Sequence, residues 1–268
     1  MQIRTKFNQT VLLAAVGLLV GMGTLYAADA PAPAPGPAQP SEPAELDGDT
    51  VTYDMKSGVV TAEGNVLMVR GATKVAGAKA EYNSKTQQGS VTGNVIAIKD
   101  AVRMTAQKVV MDQKDHITAT GGVTATKGNL RMQAAQVVAE GQNHFIATGD
   151  VHGQQEDKTF SGPKADFHQD TNYVLIESGG TITSKDGVFT ADRMEGWLTD
   201  NHFKGIGNAH IVSQPRNFEG GGDVADYYGQ AEGKVTLDGN AWAVQENNTL
   251  RGSHLTVYLE NNGSAKAE

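Results

Sequence analysis

The sequence predicts an all-β repeat body, and three observations predict it. First, a motif of a small residue, Gly, a small polar residue and a β-former recurs as EGNV, TGNV, TGGV, TGDV, GGTI, IGNA and DGNA. Its last well-aligned position falls at Val66, Val95, Val123, Val151, Thr181 (after Gly179-Gly180), Ala209 and Ala241, at spacings of 29, 28, 28, 30, 28 and 32 residues. Second, another motif follows in phase, as AGAKAEY, TAQKVVM, QAAQVVA, SGPKADF and TADRMEG. Third, the pattern alternates with period two. In GNVIAIKDAVRMTAQKVVMD, Val95, Ala97, Val102, Met104, Val109 and Met111 fall on one set of faces. Ile96, Arg103, Thr105 and Lys108 fall largely on the other. Such alternation, bounded by Gly, Asn and Asp, reads as half-buried strands meeting at turns or bulges. The body is therefore about seven copies of a roughly 28-residue unit.

In chain order, Arg4 and Lys6 precede an apolar stretch from Val11 to Leu25, and small residues follow at Ala27 and Ala28. This is the layout of a secretory signal peptide over 1–27, cut after Ala27. An uncleaved membrane anchor is the alternative, although the run is shorter than the ~20 residues of a spanning helix. Residues 28–45 form a Pro/Ala-rich linker, which cannot join a sheet and reads as an extended, semi-stiff tether. The repeat body occupies 46–260, with half-copies LDGDTVTYD and RGSHLTVYL at its ends. A flexible tail, 261–268, completes the chain.

Composition excludes several functions. The chain has 268 residues, a net charge of −8 and no cysteine. An acidic balance lacks the basic footprint of a nucleic-acid binder, so no nucleic acid is expected. Without cysteine there is no disulfide framework, thiolate metal site or lipidated Cys. G-x-S-x-G, Walker and dinucleotide motifs are absent from the sequence, so neither an enzyme site nor a cofactor is expected. Seven histidines are present, but none has zinc-motif spacing. The nearest approach is His144 and His152, eight apart with Asp150, Glu156 and Asp157 nearby, and no metal site is expected there.

One unit cannot bury its own apolar face, so stacked copies bury a continuous stripe. The lining columns are Val66, Val95, Val123 and Val151; Val75, Val102 or Met104, Met132 and Phe160; and Ala80, Val109, Val137, Ala165 and Met194. A neighbouring position carries Tyr82, Met111 and Phe167, and the tract before each glycine adds Ile117, Ile146 and Ile176. From the residues alone, these columns suit a packed core, a β-solenoid or a jelly roll of repeating hairpins. Lys79, Lys108, Lys164 and Arg193 share one repeat position on the outer face. They read as a solvated row beside Glu81, Asp166 and Glu195, or as a basic ladder for lipid phosphates. Trp197 and Trp242 read as local packing or as contact residues.

TGNVIAIKDAVRMTAQKVVMD, and again DGNAWAVQENNTLRGSHLTVYLE, resemble the OstA-like family, the LptA type of periplasmic lipopolysaccharide-transport protein. LptC and the LptD N-terminal domain are relatives with the same repeat. The resemblance covers 46–260. It implies an elongated β-jelly roll in the periplasm whose apolar interior holds the acyl chains of lipid A. Its lining would be Val66, Val75, Val95, Val102, Met104, Val109, Met111, Val123, Met132, Val137, Phe160 and Phe167. It also implies head-to-tail self-association, and partnership with LptC-like inner-membrane and LptD-like outer-membrane jelly-roll domains. The expected open edges are Asp49–Tyr53 and Leu255–Leu259. This chain carries more repeats than short members of the family. Its later columns, Thr181, Ala209 and Ala241, are smaller or more polar, which suits a packed cap. The competing functions are a structural or adhesive cell-surface β-solenoid and a polysaccharide-cleaving solenoid. The first lacks a surface anchor in the sequence, and the second lacks a clustered acid/base set.

Overall fold

The computed structural model describes residues 45–267 except 71, 87, 100, 114, 115, 141, 142, 169, 199, 201, 229–232, 246, 247 and 260–264. The signal peptide and all but the last residue of the linker lie outside them. Among the described residues, no helix is long and apolar enough to cross a membrane.

These residues form nineteen strands and one short 3-10 turn, Gln214–Arg216. At the N-terminal end, β1 (Glu45–Asp47) and β2 (Thr50–Asp54) both pair with β3 (Val59–Arg70). There follow β4 (Thr73–Asn83), β5 (Gln88–Lys99), β6 (Val102–Gln113), β7 (His116–Lys127), β8 (Leu130–Glu140), β9 (His144–Gln155) and β10 (Lys158–His168). Two levels are then broken into half-strands: β11 (Tyr173–Glu177) with β12 (Gly180–Ser184), and β13 (Gly187–Ala191) with β14 (Arg193–Trp197). The array ends with β15 (His202–Ser213), β16 (Phe218–Tyr228), β17 (Lys234–Gln245), β18 (Asn248–Leu259) and β19 (Ala265–Ala267). Each long strand pairs antiparallel with the next, so the sheet grows along one axis. This is the elongated all-β jelly roll that the sequence predicts. The antiparallel ladder sets aside the solenoid, in which successive coils stack in parallel.

The recurring glycine motif has a different place from a hairpin turn. It lies in the middle of a long strand, at a register shift that recurs between neighbours, as at Glu63/Val66, Thr92/Val95 and Thr120/Val123. Two successive residues there have positive φ: Gly93 and Asn94 at 83° and 50°, Gly149 and Asp150 at 79° and 48°. Gly and Asn tolerate that region at least cost, and a bulge built this way bends its strand. The bulge Asn side chain is also held by its neighbours: Asn240 donates to Asp223 at 3.1 Å, and Asn208 donates to Asp192 at 2.8 Å.

At each bend the strand folds over, so its two halves become two facing walls. Tyr227 demonstrates this. A straight β16 would hold Tyr227 about 30 Å from Phe218, yet its phenol feels Asp186 and Arg216, which lie beside the far end of the strand. Alternate residues of both halves are buried in one continuous cluster. We call the wall beside the 127–130 and 155–158 hairpins the first wall, and that beside 140–144 and 168–173 the second.

Two sequence expectations shift at the broken levels. Ser178 and Gly179, at φ 65° and 98°, interrupt the fifth copy. Gly180 is buried there, and Thr181 pairs with Ser161 and Thr190 on the outer face. Ile182, not Thr181, fills the interior beside Phe160 and Phe189. At the C-terminal end, residues 265–267, placed in the flexible tail from sequence, pair with Val257–Leu259 as a strand. The expected edge Leu255–Leu259 is thus largely covered. The part of β18 left without a second strand among the described residues is Asn248–Thr256, where Leu250 is exposed.

Candidate functional site

The interior is organised in rows, because directly opposed residues on neighbouring strands point the same way. The inner row of the first wall runs Val75, Ala97, Met104, Ala125, Met132, Gly153 and Phe160 through successive pairings. Large side chains come from even strands and small ones from odd strands. At the extreme, a Cβ on Gly153 would lie 1.8 Å from the Phe160 ring, which therefore covers it. Gly153→Ala is expected to displace that ring and lower the thermal midpoint, read by circular dichroism.

The second wall has a matching row: Val91, Val109, Ala119, Val137, Ala147 and Ala165, continuing to Ile176 and Met194. At the bend, Val95 faces Ala106, Val123 faces Ala134, and Val151 faces Gly162. Nearest the open lip of the second wall lie Met111, Ile117, Ala139, Phe145 and Phe167. The structure brings all twelve sequence-named residues onto this one interior. Val66, Val95 and Val123 line the bend. Val75, Met104, Met132 and Phe160 line the first wall, with Val102 at its lip. Val109 and Val137 line the second wall, with Met111 and Phe167 at its lip. Ten of them are buried, while Met111 and Phe160 are half-buried and packed against the rest. The walls thus rest on one another.

Sequence reading missed the odd-strand alanines Ala119, Ala125 and Ala147 and the aromatic residues Phe145, Phe189 and Phe218. The alanines carry little hydropathy signal and become legible only through their partners. Ile146 departs from expectation: Phe145 and Ala147 point inward, so Ile146 points outward, opposite Asp166. Ala209 and Ala241 are fully buried in the same core cluster, with Val235, Leu237 and Val257 nearby.

The charged residues divide by face. Lys79, Lys164 and Arg193 sit outside, paired with Glu63 at 2.7 Å, Glu177 at 3.1 Å and Glu195 at 2.7 Å. These exposed pairs are solvated, and Lys79→Ala is expected to leave the unfolding midpoint unchanged. The lip of the first wall carries different cations. Lys99, Val102, Lys127 and Leu130 oppose one another in turn, so the lysines share the inward face with buried Val102 and Leu130. Lys158 continues this lip, and burial holds its ammonium below the usual lysine range. Arg216, whose Nε is buried without a hydrogen-bond partner, stands further along. Across the mouth, burial raises the Tyr227 phenol. On the outside of the second lip, rings stack in a ladder: His144 on His168, Tyr173 against Trp197, Trp197 on His202, and His202 on Tyr228.

A folded-over antiparallel array with a continuous apolar interior and a cationic lip defines a class: an elongated β-protein built around an apolar trough. The family described as LptA/(LptD N-terminal domain) LPS transport protein matches residues 74–196 and again 139–262. Together these placements span well over half of the chain, and the chain belongs to that family. Its overlapping double placement reflects the repeat, along which one pattern fits at more than one position. Among solved structures, the chain is similar to LptH from Pseudomonas aeruginosa, described as the LptA-homologous periplasmic component of the conserved lipopolysaccharide transport device. The identity is 19%, the match covers 51% of this chain and 82% of that one, and the TM-score is 0.25. No curated protein matches the chain.

Proposed function

We propose that this protein carries lipopolysaccharide through the periplasm, with lipid A acyl chains held between its two walls. The observation that carries the reading is the unbroken apolar interior running from Val66 to Val257 in one cluster. Each buried methylene contributes about 0.8 kcal/mol, so a dozen suffice to hold an acyl chain out of water. Because the walls rest on one another, loading parts them at the mouth, where Tyr227 faces the lip of Arg216. The acyl chains then replace wall-to-wall contacts, which limits the net gain and lets the lipid leave again. Lys99, Lys127 and Lys158 at the lip suit the phosphates of lipid A, in place of the outer row of Lys79, Lys108, Lys164 and Arg193. Met104, Met132 and Met111 supply adaptable surface for chains of differing length.

The test is photocrosslinking to lipopolysaccharide from Met104, Val109 and Phe167, with outward-facing Thr118 as control. Labelling is expected at the three interior sites and not at Thr118. A folded protein labelled at none of the three overturns the carrier reading.

The end strands support a second part of the proposal. On β2, Val51 and Tyr53 are 48% and 55% exposed, and β2 pairs only with β3 among the described residues. An exposed apolar edge is an aggregation liability unless a strand covers it. Its natural complement is the Asn248–Thr256 edge of another copy, or of an LptC-like inner-membrane or LptD-like outer-membrane jelly roll. Export by the cleavable signal peptide would place the array between the two membranes. Photocrosslinkers at Thr52 and Arg251 are expected to trap end-to-end dimers, and monomer alone at both positions would refute the association.

A further inference from the structure

Outside the second lip, three potential metal ligands converge from two strands. His144 on β9 and His168 on β10 are direct cross-strand partners, and their rings stack 4.4 Å apart. Asp166, two residues before His168, lies on the same face. Its Oδ1 is 2.8 Å from His144 Nε2 and 3.4 Å from His168 Nε2. Tetrahedral ligands around zinc lie about 3.3 Å apart, and these ligand atoms all fall within 4.8 Å of one another.

His144 meets a second carboxylate through its other ring nitrogen. Its Nδ1 is 3.2 Å from Glu140 Oε2, while its Nε2 faces Asp166. Two carboxylates therefore face this ring. His144 Nε2 and Asp166 Oδ1 stand at hydrogen-bond distance, and a metal ion would take the place of the hydrogen they share. A second imidazole nitrogen turned toward the same carboxylate oxygen is what a metal ion uses. Glu140 then plays the part of the carboxylate that orients a metal-bound histidine through its other nitrogen.

We propose that His144, Asp166 and His168 bind a divalent transition ion, with zinc the best chemical match to a set of two imidazoles and one carboxylate. The site is partly open: the His168 side chain is 43% exposed, His144 27% and Asp166 17%. The fourth position is therefore left to water. The two strands joined at this site carry Phe145 and Phe167 at the adjacent register positions, with rings stacked 6.4 Å apart on the inward side. A bound ion would fasten this part of the lip from outside. The sequence conceals the site because its ligands come from different strands. His152, eight residues from His144 in sequence, sits in the other wall with Nδ1 2.9 Å from the Asp150 carbonyl.

The test uses the purified protein, stripped with chelator and titrated with Zn²⁺ by calorimetry and with Co²⁺ by visible absorption. One equivalent is expected to bind, with a tetrahedral-type cobalt spectrum and a raised thermal midpoint. His168→Ala and Asp166→Asn are expected to weaken Zn²⁺ binding at least tenfold, and His152→Ala to leave it unchanged. Binding undiminished in both site variants, or wild-type binding weaker than about 1 mM, overturns the proposal. If Asp166→Asn does not fold, His168→Ala decides alone, since its side chain is the most exposed of the three.

Discussion

Val137→Asp is expected to destabilise the middle of the array by about 4 kcal/mol or more. Val137 is 1% exposed and lies in the inner row of the second wall, between Ala119 and Ala147. Its inner-row neighbours are aliphatic, so the carboxylate would have neither water nor a cation within its row. Because each strand packs chiefly against its neighbours in the sheet, the damage should stay local. Amide exchange is expected to lose protection in β7–β9 while β16–β18 keep theirs. Val137→Thr, nearly isosteric, should cost much less. A shift below about 1 kcal/mol for the aspartate variant would mean that the interior is already wet, and the carrier reading would lose its physical basis.

The bend supplies the second large effect, with opposite signs at adjacent residues. Gly121 has φ 87°, and a Cβ there would meet Gln107 Cβ at 2.5 Å. Gly121→Ala is therefore expected to cost about 2–3 kcal/mol, from a strained backbone and a forced displacement of β6. Gly122 has φ 77° with nothing within 4 Å of its Cβ position. Five other copies place Asn or Asp at the equivalent position, at φ between 47° and 50°. Gly122→Asn is expected to be neutral or to stabilise by up to about 0.5 kcal/mol, by reducing the freedom of the unfolded chain. Chemical denaturation of both variants reads the contrast. Equal losses at the two positions would mean that the bend is held by something other than the close approach at Gly121.

Much of this architecture is legible in the sequence, for a specific reason. The bulge needs positive φ twice in succession, and few residue pairs other than Gly-Asn, Gly-Gly and Gly-Asp provide it, so the geometry marks each odd strand that carries the bulge. Period-two alternation then assigns Met104, Val109 and Phe167 to the interior. The alternation fails where the bulge changes. At Ser178-Gly179 the strand breaks, and a one-residue slip moves Thr181 to the outside. A similar slip misplaces Ile146, because its neighbours Phe145 and Ala147 hold the inward positions. The interior's cationic lip is less legible. Lys99, Lys127 and Lys158 adjoin hairpins, where a lysine is commonplace; pairing with Val102 and Leu130 sets Lys99 and Lys127 inward, and Lys158 shares the face of Phe160 two residues on. In the His144–Asp166–His168 cluster, alternation places Asp166 and His168 on one face, but only strand register brings His144 to them, and no local spacing encodes that.

Along the first wall from β4 to β10, bulky side chains on every second strand give a corrugated surface whose pitch is two strand spacings, about 9.6 Å. An apolar guest displaced by one pitch meets nearly the same surroundings, so its energy is a ripple instead of a single well. From β12 onward the texture changes, with Ile182, Phe189, Ile211, Gly220, Ala243 and Leu250 in the equivalent row. There the ripple loses its regular beat, and a travelling guest would slow or stop.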